Sequence, residues 1–277
     1  MRAVTVLIAT CLSAALALGC APAALTQEQI VPAFIAASQG ETRTMHMEWR
    51  GTMHQVAGGD QGSGLGQIDQ SFNGAFDFNG PDYAGALTTA VAGMGQSNQV
   101  SYARVSGVTF VNYSESGWQR SDGLGAGPTQ LDPMHDLAES GVAYEATDTL
   151  DGRPVHRLRV LDPAAALSGG LFDQASLIGG SLALKGPSDY LIYVDANGIP
   201  VAAHVALDIQ MGISAPDMAS PDLEYQVEFD YTFSLWGEPV TISAPQLSND
   251  GGGIKDGPPP IVEPATAVPA PLQAPTN

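Results

Sequence analysis

The residue whose chemistry is set most clearly by its neighbours is Cys20. It follows Ala17-Leu18-Gly19, and an apolar run from Ala3 to Leu18 comes before it, behind the basic Arg2. That run is too short for a stable membrane anchor and has the length of a signal-peptide core. Small residues before a cysteine are what a lipoprotein signal peptidase accepts once the thiol carries lipid. We therefore predict a signal peptide over residues 1–19 and acylation of Cys20, for example by palmitate.

A second cleavage site leaves one alternative open. Ala21-Pro22-Ala23 offers small residues at the spacing that the ordinary signal peptidase uses, and that cut would give a free secreted protein. The other cysteine, Cys11, lies inside the predicted signal. Without a thiol in the mature body, disulfides, thiolate metal sites and cysteine nucleophiles are excluded there.

The histidines do not form a catalytic or metal-binding pattern. His46 and His54 fall on one side of a straight strand about 26 Å apart, too far to share an ion. Methionines beside them suggest copper as an alternative, because thioethers are soft ligands. The methionine face also carries Trp49, which favours a core or a pocket lining. We therefore predict no metal and no cofactor.

Motifs that carry common enzymatic reactions are not found in the sequence. It has no Gly-x-Ser-x-Gly elbow, no Ser-x-x-Lys, no His-Glu-x-x-His and no phosphate loop. The Asp195-Ala196-Asn197-Gly198 stretch resembles part of a calcium loop but falls where a hairpin must turn. We predict that the protein is not an enzyme; a hydrolase with a clustered acid or histidine site remains an alternative.

The charge of the chain limits its partners. The chain contains ten Lys and Arg and 29 Asp and Glu, which gives a formal net charge of −19. Such a surface repels phosphate backbones, so nucleic acid is excluded as a partner. The acidity itself is typical of an exported protein that uses charge for solubility.

The pattern of the chain predicts a helix and then a series of strands. Thr26 followed by Gln29 forms a capping box that opens a helix, near whose start Pro32 is tolerated or shifts that start. From residue 43 the period becomes two, and hairpins are predicted about Ser106-Gly107 and Asp151-Gly152. Residues 84–99 are small and poorly determined, and a short helix follows Asp132-Pro133.

Strict alternation in the last strands predicts the fold class. Val201 to Met211 and Tyr225 to Leu235 each present one apolar and one polar face. Between them and the earlier strands, residues 163–184 break the strand pattern and favour a soft, partly helical segment. We predict an α+β domain over residues 26–245, in which a strongly curved antiparallel sheet encloses helices. Residues 20–25 form the lipidated tether, and the proline-rich residues 246–277 form a disordered tail.

Large apolar side chains on the strand faces, under a thin cover rich in Ala and Gly, favour an internal gap for alkyl chains. An ordinary filled core is the alternative. The candidate lining residues are Met45, Met47, Trp49, Phe76, Phe110, Leu171, Phe172, Val205, Leu207, Ile209, Val227, Phe229 and Tyr231.

Several motifs, taken in their order along the chain, resemble the LppX/LprG type of actinobacterial lipoprotein, within the LolA/LolB-like fold. They include the lipobox at Cys20, Val105 to Trp118, and Leu131-Asp132-Pro133. They continue with Tyr193-Val194-Asp195 and Phe233-Ser234-Leu235-Trp236-Gly237-Glu238-Pro239-Val240. The Gly- and Ala-rich segments and the proline tail depart from that pattern.

The resemblance implies a half-barrel with helices packed in its concave face around an apolar cavity. It also implies a carrier that moves an acylated lipid or glycolipid between membrane and envelope, with a membrane transporter as a further partner. In such a carrier we expect the soft segment of residues 163–185, which departs from the family pattern, to act as a gate. A sensor or scaffold that uses the same fold to bind a protein is the alternative function.

Overall fold

The fold is built around one curved, unclosed sheet of 12 antiparallel strands. The computed structural model describes residues 25–39, 43–57, 69–93, 95, 97–113, 117–121, 134, 137–167, 180–213 and 223–247. The predicted signal peptide, Cys20 and most of the tail lie outside these residues. Along the sheet the order is β6-β5-β4-β3-β2-β1-β12-β11-β10-β8-β7, and β9 pairs with β11 beyond β10.

The strands have the following bounds: β1 Thr44–Ala57, β2 Asp69–Asn79, β3 Asp82–Val91, β4 Ser97–Val105, β5 Val108–Tyr113, β6 Trp118–Ser121, β7 Val142–Leu150, β8 Arg153–Val160, β9 Gly180–Leu184, β10 Asp189–Val194, β11 Pro200–Ile213 and β12 Leu223–Ser234. The helices are α1 Gln27–Ser38, α2 Leu137–Ser140 and α3 Pro163–Leu167.

Alternation along the strands divides the sheet into two chemically different faces. In β1, Met45 pairs with Phe78, and Met47 pairs with Phe76 and Phe233, which makes one face apolar. We call it the inner face. His46 and its partner Asp77 lie on the opposite, outer face. The predicted alternation of β1, β11 and β12 is confirmed, except that β12 ends at Ser234 and Leu235, expected on its apolar face, is exposed.

Helix α1 contributes to the core on the inner face. Thr26 N–H donates to Gln29 Oε1 at 2.9 Å, as a capping box requires, and the helix continues through Pro32 to Ser38. Its Ile30 and Phe34 are fully buried in the same cluster as the inner-face strand residues. The start of the helix is held by the bond from Leu25 N–H to Ala196 O at 3.4 Å.

Hairpin turns appear where glycine follows a residue that tolerates a left-handed backbone. Asp151 and Gly152 have φ values of 51° and 76°, and Ser106 and Gly107 have 53° and 80°. Both residues of such a tight turn need positive φ, which confirms the two predicted hairpins, β7–β8 and β4–β5.

Residues 84–99, which the sequence left undetermined, contain most of β3 and the start of β4. One sequence expectation is wrong. Residues 180–184, expected in a soft helical segment, form β9 against β11, while residues 168–179 lie outside the described part of the chain. Glycine and alanine weakened the strand signal in these stretches, although neighbouring strands supply the packing that fixes them.

A second, smaller apolar cluster lies on the outer face. It contains Ala84, Ala103, Phe110 and Trp118, and half-buried Ile242 packs against it from beyond β12. Asn79 Nδ2 donates to Val240 O at 2.9 Å, which fixes this extended C-terminal segment (residues 239–245) against the end of β2.

Candidate functional site

Ten of the proposed lining residues come together in one buried cluster on the inner face. These are Met45, Met47, Trp49, Phe76, Val205, Leu207, Ile209, Val227, Phe229 and Tyr231, none more than 6% exposed. Leu171 and Phe172 lie outside the described residues. The assignment of Phe110 to this surface is wrong, because Phe110 pairs with Ala103 and lies on the outer face.

Glycines on the inner face leave room for large rings. Gly51 lies directly opposite Phe229, and a Cβ there would be 2.1 Å from the ring. A Cβ on Gly74, opposite Trp49, would be 2.4 Å from the indole nitrogen. The rings therefore lie flat on neighbouring strands, and Trp49 contacts Phe229 edge-on at 5.6 Å between centroids.

Apolar side chains at one end of the strands are only half-buried. The strand register relates each of them to a position on β1. That position is level with Trp49 or lies beyond it, on the side away from Met45. We call this set the half-buried end, and it consists of Met53, Phe72, Leu87, Leu184, Met211 and Leu223.

The other end of the inner face carries a group of polar side chains that the sequence analysis missed. Arg104 lies directly opposite both Tyr83 on β3 and Thr109 on β5. Tyr83 is buried, Arg104 and Thr109 are half-buried, and Arg104 Nε is a buried donor without an acceptor. We call these three residues the polar corner. Their signal in the sequence was a charged residue at an inward position of β4, which becomes visible only once the register is known.

Histidines on the outer face pair with aspartates directly across from them. His46 Nδ1 lies 2.7 Å from Asp77 Oδ1, and His204 Nδ1 lies 2.8 Å from Asp230 Oδ1. In each pair the carboxylate hydrogen bond raises the pKa of the imidazole and outweighs the opposing effect of burial. His54 and Asp69 form a third, more exposed pair at 2.5 Å.

One of these pairs belongs to a cluster with metal-ligand chemistry. One ligand atom each from His204, Glu228 and Asp230 lies within 4.8 Å of the others. Because Nδ1 of His204 is already bonded to Asp230, only Nε2 remains for an ion, and Glu228 lies 3.9 Å from it. The arrangement is that of a surface ion pair across two strands.

Arginine pairs dominate the outer face at the β7 edge. Arg157 contacts Glu145 and Asp148, and Arg159 contacts Glu145 and Asp189. Hydrogen bonding to Arg159 lowers the pKa of Glu145. This network is typical of a solvated, structural surface.

No family model matches the chain, and no curated protein matches it. The structure is similar to lipoprotein LppX of Mycobacterium tuberculosis, with a TM-score of 0.38 and 15% identity over 78% of this chain and 97% of that one. It is also similar to a putative outer membrane lipoprotein-sorting protein domain from Vibrio parahaemolyticus (TM-score 0.28, 6% identity, 77% and 93% covered). A third similar structure is a DUF1329 family protein from Desulfovibrio piger, with a TM-score of 0.27 and 10% identity over 78% of this chain and 95% of that one. The structure comparison thus returns the LppX type that the sequence motifs resemble.

Among the residues that the structure describes, no helix has both the length and the apolar character needed to cross a bilayer.

Proposed function

We propose that the protein is a non-enzymatic, lipid-anchored carrier that binds the acyl chains of a lipid or glycolipid outside the cytoplasmic membrane. The observation that carries this proposal is the inner face, a predominantly apolar surface whose side chains remain half-buried at one end. Soluble domains normally cover such surfaces, and a partly uncovered one favours an apolar ligand.

The energetics of hydrocarbon burial support this function. Each methylene transferred from water gains about 0.8 kcal/mol, so a chain of about 16 carbons gains over 10 kcal/mol before the cost of ordering it. Methionines such as Met53 and Met211 adapt to chains of different shape, because their thioether side chains are unbranched and flexible. The acidic outer face keeps the loaded carrier soluble.

The direct test is to identify what the protein carries. The full chain is extracted from membranes with a detergent that has no fatty-acyl tail, and its organic extract is analysed by lipid mass spectrometry. We expect acylated lipids in stoichiometric amount, beyond the lipid covalently attached to Cys20. Repeated recovery of the protein without bound lipid would refute the carrier function.

A matched pair of variants on β1 tests where the chain binds. Met53→Glu places a charge on the half-buried end, whereas Thr52→Glu places the same charge on the exposed outer face one residue away. Because a carboxylate is poorly solvated against hydrocarbon, Met53→Glu should lower the affinity for a fluorescent fatty-acid probe at least tenfold. Thr52→Glu should leave it unchanged, and equal effects of the two variants would place binding elsewhere.

A further inference from the structure

One transverse row of the inner face changes from apolar to polar along its length. Phe78 pairs with Tyr83, Tyr83 with Arg104, Arg104 with Thr109, and Thr109 with Ser121. The aromatic end of this row joins the core, since the Tyr83 and Phe78 rings lie 6.1 Å apart and those of Phe78 and Phe76 6.4 Å apart. The polar corner is therefore continuous with the fully buried aromatic part of the inner face, at the end of the strands opposite the half-buried end. An acyl chain with its headgroup at the corner would run along the inner face toward the half-buried end.

Arg104 is half-buried without a carboxylate partner among the described residues, whereas Arg50 and Arg120, which also form no ion pair there, are exposed. Arg157, Arg159 and Lys185 each form ion pairs across strands. Within the described part of the chain, none of the ion pairs includes Arg104. Its Nε is buried without an acceptor. A half-buried guanidinium in this state carries an unmet desolvation cost, which a bound anion would offset.

The neighbours of Arg104 are suited to the same ligand. Tyr83 and Thr109 are within hydrogen-bonding reach of each other, and their hydroxyls provide further donors beside the guanidinium. Burial raises the pKa of Tyr83, so the phenol keeps its proton at neutral pH. Guanidinium and hydroxyl groups together match the oxygens of a phosphate or carboxylate.

We propose that the polar corner binds the anionic headgroup, a phosphate or a carboxylate, of the acyl ligand. This inference rests on the proposed function and specifies its ligand as an anionic amphiphile. The acidic groups of the outer face lie across the sheet from the corner, and salt screens exposed charges beyond about 8–10 Å. Direct contact with a half-buried guanidinium therefore outweighs the long-range repulsion of a chain with net charge −19.

The test compares two probes with the same acyl chain, one with an anionic headgroup and one with a neutral headgroup. Bromostearic acid, at a pH where it is ionised, and its methyl ester are titrated into the full chain, and bromine quenching of tryptophan fluorescence reports binding. We expect the acid to bind about tenfold more tightly than the ester, as one charge-assisted hydrogen-bonded pair implies. Arg104→Gln should remove this preference and leave the affinity for the ester unchanged. Arg120→Gln, at an exposed arginine of β6, should retain the preference.

The outcomes separate this inference from the proposed function. If the ester binds and Arg104→Gln leaves the preference for the acid intact, the headgroup assignment is wrong while the carrier remains. If neither probe binds to the wild-type chain, the carrier function itself fails. If millimolar inorganic phosphate alone protects the folded chain from thermal unfolding and needs Arg104 to do so, the corner binds a free anion and the headgroup assignment is overturned. Unchanged circular dichroism of Arg104→Gln shows that the variant is folded.

Discussion

At the scale of single residues, the inner face is shaped by pairs in which a glycine faces a ring. Gly51 faces Phe229 and Gly74 faces Trp49 across neighbouring strands, at separations that no side chain on the glycine would allow. A flat ring over a glycine covers the neighbouring backbone and replaces the contacts that the glycine lacks. These glycines are therefore packing partners and not only flexible positions.

Gly74→Val should destabilise the fold by about 1–3 kcal/mol, because Trp49 must leave its position above the strand. Ser71→Val, at an exposed position of the same strand, introduces the same side chain where nothing is displaced. Urea unfolding followed by circular dichroism measures both free energies. Equal stability of the two variants would show that Trp49 does not depend on Gly74.

The His46–Asp77 pair predicts how stability depends on pH. The pKa of His46 is raised above its ordinary value of 6.5, mainly by the hydrogen bond to Asp77. A raised folded-state pKa means that the pair contributes its full stability below the unfolded-state pKa. That contribution is lost as pH rises through the higher folded-state pKa.

Asp77→Asn should accordingly lower the free energy of unfolding by about 1–2 kcal/mol at pH 5.5, with a smaller loss at pH 9. Asp69→Asn is the matched control, since His54–Asp69 joins the same two strands but is about half exposed and contributes little. Urea titrations at the two pH values measure the difference. A loss that does not depend on pH would contradict the proposed role of the protonated imidazole.

At the scale of elements, regular alternation of apolar and polar residues was sufficient to predict a strand where one face is buried and the other is exposed to solvent. Strand β12 follows its sequence pattern from Tyr225 to Phe233. Strands β1 and β11 follow theirs except at buried Gln55, exposed Val56 and buried Ala202. Strand β3 escaped prediction because Gly85, which gives room to the Phe76 ring, and its alanine neighbours carry little hydrophobic signal. The position of Phe110 was misjudged for another reason: both Phe110 and Val111 are buried, so alternation does not indicate the face.

The C-terminal segment of residues 239–245 should hold β4–β6 in place from the outer face. Ile242→Ala removes its half-buried contact with the Phe110 and Trp118 cluster and should cost about 1–2 kcal/mol. Hydrogen exchange in β5 and β6 should accelerate while that in β11 is unchanged. Leu247→Ala, at a side chain 49% exposed, is the control. Uniform acceleration across the sheet would mean that the segment does not act locally.

At the scale of the whole molecule, much of the candidate site could be predicted, because its large apolar residues lie on strands with regular alternation. The polar corner could not be predicted, because Tyr83, Arg104 and Thr109 come from three strands and meet only through the pairing register. Where alternation is regular, the sequence alone indicates which residues face inward, whereas their grouping depends on how the strands are ordered in the sheet.

Cys20→Ala should release the protein from the membrane fraction into the soluble or culture fraction, or leave it as an uncleaved precursor without lipid. Metabolic labelling with a palmitate analogue should mark the wild-type chain and not the variant. The matched control is Cys11→Ala, which changes the other cysteine and should leave both labelling and fractionation as in the wild type. Labelling of the Cys20→Ala chain would show that the acylation site lies elsewhere.

If Cys20 carries the predicted lipid, the bond between Leu25 and Ala196 limits how the molecule lies on the bilayer. Six residues from Cys20 to Leu25 span at most about 20 Å, so the β10–β11 turn would then stay close to the bilayer. The register places Met45 level with that turn along the strands and Met53 about 26 Å farther along the strand, while the polar corner lies at the level of Met45 but across β12, β1 and β2 from the turn. An upright molecule anchored in this way would point its half-buried apolar end away from the bilayer, and the carrier proposed above would have to tip over to exchange cargo with the leaflet that holds it.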